Sequence, residues 1–80
     1  MKVKVNVYLK TGILDPQGKA VHHALDVLGF EGLKDVRIGK QIILDLDTDS
    51  EEAAKTEATE MAKKLLVNQV TEDFDIEIVR

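Results

Sequence analysis

Leu9-Lys10-Thr11-Gly12-Ile13-Leu14-Asp15-Pro16-Gln17-Gly18-Lys19-Ala20 closes an alternating strand and opens an amphipathic helix. Gly12 permits a turn that needs positive φ. Asp15 offers a side-chain oxygen to the unpaired N–H groups at the start of the coming helix. Pro16 occupies the first helical position, where its missing N–H costs nothing and its fixed φ suits the helix. Gly18 is the residue this grammar does not need, since glycine inside a helical turn costs ~1 kcal/mol relative to alanine. Something must approach the backbone closely at Gly18, either another segment of the chain or a partner.

Upstream, Lys2 to Lys10 alternates strictly, with Val3, Val5, Val7 and Leu9 on one side and Lys2, Lys4, Asn6, Tyr8 and Lys10 on the other. Period 2 with β-branched residues on one face predicts a half-buried strand. Downstream, Ala20, Val21, Ala24, Leu25 and Leu28 recur at the spacing of a core-facing helical stripe, and Gly29 supplies the stop. His22 and His23 fall mostly off that stripe. Adjacent helical positions point apart, so the two imidazoles are expected to make structural or partner contacts and not to share a metal.

Gly32 marks a connector, and Val36 and Ile38 predict a second strand. Gly39-Lys40 then reads as a turn, with Ile42, Leu44 and Leu46 on one face of a third strand. Ile43 points the other way, apolar where the pattern wants a polar residue. Asp47-Thr48-Asp49-Ser50-Glu51-Glu52 is an acidic helix entrance, with Asp49 or Ser50 as cap and the carboxylates near the positive end of the helix dipole. It lacks the spaced ligands and central glycine of a calcium loop. Ala54, Ala58, Met61, Ala62, Leu65 and Leu66 form a second amphipathic helix with Asn68 near its end, and Phe74, Ile76 and Ile78 alternate with Asp73, Asp75 and Glu77 in a last strand.

The order β-α-β-β-α-β predicts an α+β, ferredoxin-like single domain over residues 1–80, with an antiparallel sheet and two helices on one face. The uncovered sheet face would carry Lys4, Asn6, Arg37, Asp45, Asp75 and Glu77, together with Tyr8, Ile43 and Val79. If those last three cluster, the open face or the neighbouring edge is where copies associate. An 80-residue chain buries only roughly 60–65% of its unfolded surface, and oligomerisation is a usual supplement.

Composition narrows the function. Eleven basic and fifteen acidic residues give a net charge of −4, which argues against nucleic acid and anionic membrane as partners. The absence of cysteine removes thiol nucleophiles and zinc–thiolate sites. With no transmembrane run and no leader-like opening, a cytoplasmic location is expected. No phosphate loop and no nucleophile–base spacing is present, so no residue is assigned as catalytic, cofactor-binding or metal-binding. An RNA-binding platform would need stacking aromatics that only Tyr8 could supply.

The same residues resemble the PurS family, the small subunit of the multi-subunit bacterial and archaeal phosphoribosylformylglycinamidine (FGAM) synthase. The resemblance spans essentially the whole chain. It is most specific in Lys10-Thr11-Gly12-Ile13-Leu14-Asp15-Pro16-Gln17-Gly18-Lys19-Ala20, and continues through Ala24-Leu25, Leu28-Gly29-Phe30 and Val36-Arg37-Ile38-Gly39-Lys40. Met61, Lys64-Leu65-Leu66, Asn68 and Glu72-Asp73 extend it. The resemblance implies a non-catalytic subunit of de novo purine biosynthesis, in a ligase and glutamine amidotransferase complex. As a homodimer, with a dimer of dimers as a further step, it would bridge a synthetase large subunit and a glutaminase subunit. Glutamine-derived ammonia, ATP and formylglycinamide ribonucleotide then give formylglycinamidine ribonucleotide. ATP and magnesium are expected on the large partner, with no cofactor on this chain. Gly12, Asp15, Pro16, Gln17 and Gly18 are the expected partner contacts, and Tyr8, Ile43 and Val79 the expected oligomer interface.

Two other readings share the fold. An ACT-type regulatory module would bind a small molecule at Gly12 and Gly18. An acylphosphatase-like enzyme would need an arginine in the first strand-to-helix loop to cradle phosphate, and that loop has none.

Overall fold

Val3, Val5 and Val7 are the three largest fully buried side chains, and the fold is arranged around the strand that carries them. The computed structural model describes residues 1–79. The elements are β1 (Lys2–Leu9), α1 (Pro16–Val27), β2 (Gly39–Asp45), α2 (Glu51–Met61), continued by a π-helical turn over Ala62–Leu66, and β3 (Glu72–Val79). β1 is central in an antiparallel sheet of order β2-β1-β3.

The register sets Val3 and Val5 between apolar neighbours on both sides, and Val7 between Phe74 and Lys40. Val3 lies opposite Leu44 and Ile78, Val5 opposite Ile42 and Ile76, and Val7 opposite Phe74. A one-residue slip would turn this set to solvent, so the alternation pins the register. α2 covers the valines through Ala54, Ala58 and Ala62, all fully buried. Alanine at i, i+4 and i+8 lets the helix axis approach the sheet closely. Ser50 caps α2, its Oγ accepting the Ala53 N–H at 3.2 Å. At the far end the Val67 N–H reaches back to the Ala62 carbonyl. The wider turn buries Val67 and leaves Leu65 84% exposed, so the stripe read through Leu65 loses its phase there.

The α+β class, the antiparallel sheet and the two helices stand as expected, with two differences. The expected strand at Val36–Ile38 lies outside the sheet, and Gly39-Lys40 opens β2 instead of forming a turn, giving the order β-α-β-α-β. The cause is local: the Ile38 N–H is donated to Asp15 Oδ2 at 2.7 Å and not to a neighbouring strand. Secondly, α2 lies on the sheet but α1 does not. Gly18 is the only buried residue of α1, and Leu28, expected in its core-facing stripe, is 73% exposed. α1 and the returning segment form an arm. The radius of gyration is 15.9 Å, against about 12 Å for a compact chain of this length, and the long dimension is 47 Å. No helix among the described residues is long and apolar enough to cross a membrane.

Candidate functional site

The arm is hinged at the stretch on which the reading began. Gly12 takes φ +91°, as the turn out of β1 requires. Asp15 then caps α1, its Oδ1 accepting the Gly18 N–H at 2.9 Å, while Oδ2 takes the Ile38 N–H. Both carboxylate oxygens are committed, and the residue is only 4% exposed. The Ile38 and Gly18 amides hold its carboxyl below the usual carboxylate range, in that order of effect. Burial opposes the shift and the nearby Arg37 guanidinium assists it.

Gly18 has a plain structural reason. A Cβ built there would run into the Val36 carbonyl oxygen. The close approach inferred from the sequence is therefore made by another segment of the chain. Arg37, which sequence reasoning placed on the open sheet face, closes the other side of the joint. Its Nη2 donates to the carbonyls of Ile13 at 2.8 Å and Lys10 at 3.2 Å. Farther out, His22 Nε2 donates to the Leu33 carbonyl at 2.9 Å and stands 3.6 Å from Asp26 Oδ2. Segments 10–22 and 33–38 are thus stitched together along their length.

Of the five expected contact residues, Asp15 and Gly18 are buried and spent within the chain, whereas Gly12, Pro16 and Gln17 are exposed. Gly12 borders an open recess of about 450 Å³ shared with Tyr8, Arg37 and Asp73. This joint can present a shaped surface, and its buried carboxylate, Asp15, is engaged by backbone amides of its own chain. Among the described residues no cluster of three His, Asp or Glu side chains lies where it could share a metal ion. The space an ACT-type ligand would claim beside Gly18 is filled by Val36.

Tyr8, Ile43 and Val79 do share the sheet face away from α2, yet they do not meet. Ile43 is opposite Lys4, Val79 is opposite Lys2, and Tyr8 lies between Gly39 and Asp73 at the other end. Between them run polar cross-strand links, with Asn6 bonded to Asp75 at 2.7 Å and Gln41 to Asn6 at 2.8 Å. A continuous apolar surface lies elsewhere. Leu44, Met61, Leu65 and Leu66 line an open groove of about 610 Å³ between α2 and β2. Sequence reasoning assigned its leucines to the core, and only the change of phase at the π turn could have flagged Leu65.

The family model described as PurS, phosphoribosylformylglycinamidine (FGAM) synthase, matches residues 2–80. The PurS subunit of phosphoribosylformylglycinamidine synthase from Bacillus subtilis (strain 168) is 46% identical over 77 residues, which is 96% of this chain and 90% of that protein. The crystal structure of Methanocaldococcus jannaschii PurS, a subunit of formylglycinamide ribonucleotide amidotransferase in the purine biosynthetic pathway, superposes with a TM-score of 0.87. It is 39% identical, over 99% of this chain and 95% of that one. A chain of the PurLQS structure from Thermotoga maritima gives a TM-score of 0.88 at 26% identity, covering 98% of this chain and 95% of that one. Nothing in these likenesses supports an ACT-type module.

Proposed function

The chain belongs to the PurS family of FGAM synthase, and from that premise we propose that it acts as the non-catalytic subunit bridging the synthetase large subunit and the glutaminase subunit. It is a subunit of the FGAM synthase complex of purine biosynthesis. The observation that carries the bridging role is the near-complete superposition on a chain of the PurLQS structure, the Thermotoga protein with its three kinds of subunit named together. The committed chemistry of the joint supports a role without catalysis: Asp15, the buried carboxylate, has both oxygens engaged by backbone amides of its own chain.

In this reading the chain works in the cytoplasm as a homodimer. ATP, magnesium and the ribonucleotide bind on the large partner, and ammonia comes from the glutaminase subunit. Gly12, Pro16 and Gln17 offer the exposed contacts, with Asp15 and Gly18 shaping them from behind. Tyr8, Ile43 and Val79 mark the face through which two copies would associate.

Reconstitution tests the proposal. The synthetase and glutaminase subunits of the same organism are mixed with and without this chain, and glutamine-dependent amidine formation is followed together with complex mass. Activity and a co-migrating complex are expected only when the chain is present. Full activity in its absence overturns the bridging role.

A further inference from the structure

At a constant α-helical pitch Leu65 falls within roughly 20° of Ala54, on the face that α2 lays against the sheet. It is instead 84% exposed, while Val67 is buried at 7% exposure. One hydrogen bond makes this exchange. The Val67 N–H passes over the Lys63 carbonyl, its partner in a continued α-helix, and is donated to the Ala62 carbonyl at 2.9 Å. The Lys63 carbonyl accepts the side-chain amide of Gln69 instead, with Nε2 at 2.9 Å. The next helical donor, the Asn68 N–H, goes to Glu72 Oε1 at 2.8 Å. Side chains from beyond the helix thus engage a carbonyl and an amide that an α-helical end would pair within itself.

We propose that the end of α2 is a two-phase element, with the Gln69 amide as the latch of the π phase. In the other phase the Val67 N–H returns to the Lys63 carbonyl, the helix keeps its α pitch, Leu65 turns toward the sheet and Val67 is released. The sequence supports both phases, since an apolar residue stands at the position each would bury: Leu65 in α and Val67 in π. The backbone exchanges one bond for another, so the side-chain bond from Gln69 is what only the π phase makes. The phases differ in the surface beside Met61, where the π phase presents Leu65 and the α phase withdraws it. Gln69 is therefore a positioning residue, acting through the backbone. Anything that binds Leu65 in its exposed place draws the equilibrium toward π, and the fraction of chains in that phase sets the apparent affinity. The device belongs to the single chain and does not depend on the bridging role.

Scalar couplings across hydrogen bonds, read by NMR on the full isotopically labelled chain, identify the carbonyl that each amide uses. In the native chain the Val67 amide should couple to the Ala62 carbonyl carbon. Gln69→Glu keeps the shape of the side chain and removes the donated N–H. In this variant and in Gln69→Ala, a coupling from Val67 to the Lys63 carbonyl carbon should appear while the Ala62 coupling weakens. The Leu65 methyl groups should lose exposure to a soluble paramagnetic probe in the same variants, with the β1–β3 amide shifts unchanged. Adding Leu65→Glu to Gln69→Ala should restore the Ala62 coupling alone, because a carboxylate is too costly to turn against the buried valines. Retention of the Ala62 coupling alone in both Gln69 variants overturns the latch. Loss of both couplings means a frayed end and overturns the two phases. Failure of the double variant to restore the Ala62 coupling overturns the exchange of Leu65 for Val67.

Discussion

Asp15 and Ile38, twenty-three positions apart, are joined by a 2.7 Å hydrogen bond from the Ile38 amide to the Asp15 carboxylate. The bond fixes both the start of α1 and the point where the returning segment enters β2, so one side chain sets the pitch of the whole arm.

Replacing Asp15 with Asn removes the charge and leaves only one of the two positions as an acceptor. Faster amide hydrogen exchange is expected at Gly18 and Ile38, while the β1–β3 ladder keeps its protection. Uniformly faster exchange would mean that the joint and the sheet open together.

The same residue gives an acid dependence. Its folded carboxyl titrates lower than in the unfolded chain, so the unfolded state binds the proton more readily. The contribution of Asp15 is therefore complete above the ordinary carboxylate range and fades as pH falls through its lowered folded value. Melting temperatures of the native chain and of Asp15→Asn should differ at neutral pH and converge in acid.

Gly18→Ala should destabilise the chain by about 1–3 kcal/mol in urea titration, although alanine is the better helix former. The new methyl collides with the Val36 carbonyl. Gly12→Ala has free space around it and suffers only from the positive φ, so a smaller loss of about 1 kcal/mol is expected.

Ala58→Leu places a large side chain where α2 touches the buried valines with no spare exposure. A loss of roughly 2–3 kcal/mol is expected from overpacking, with a lower denaturation midpoint and retained helical content.

Ile43→Lys sets a second cation directly across from Lys4 on the open sheet face. Sedimentation equilibrium is expected to show a shift toward monomer. An unchanged mass would place the contact between copies elsewhere.

Much of this was legible because binary patterns report faces well. The alternations of β1 and β3, the cap and proline before α1, and the alanine stripe of α2 all read directly from the residues. The pattern does not report what covers a face. Val36 and Ile38 alternate as a strand would, but an extended segment bonded to a side chain alternates equally. The stripe of α1 is apolar whichever chain lies over it. Gly18 announced a close approach without naming Val36, since that contact depends on a residue eighteen positions away. Leu65 was misplaced because helical counting assumes a constant turn, and the π turn after Met61 widens it.

The central place of β1 also governs the order in which the molecule can be made. Lys2 pairs with Asp45 on one side and with Val79 on the other, so β1 waits for a partner made much later in the chain. While the ribosome is still elongating, the nascent chain can close only the β1–β2 pair, with its row of valines covered on one flank. Closure of the sheet follows synthesis of β3. Such long-range pairing is slow to form, and the interval in which those valines remain accessible is when a molecular chaperone would have most to protect.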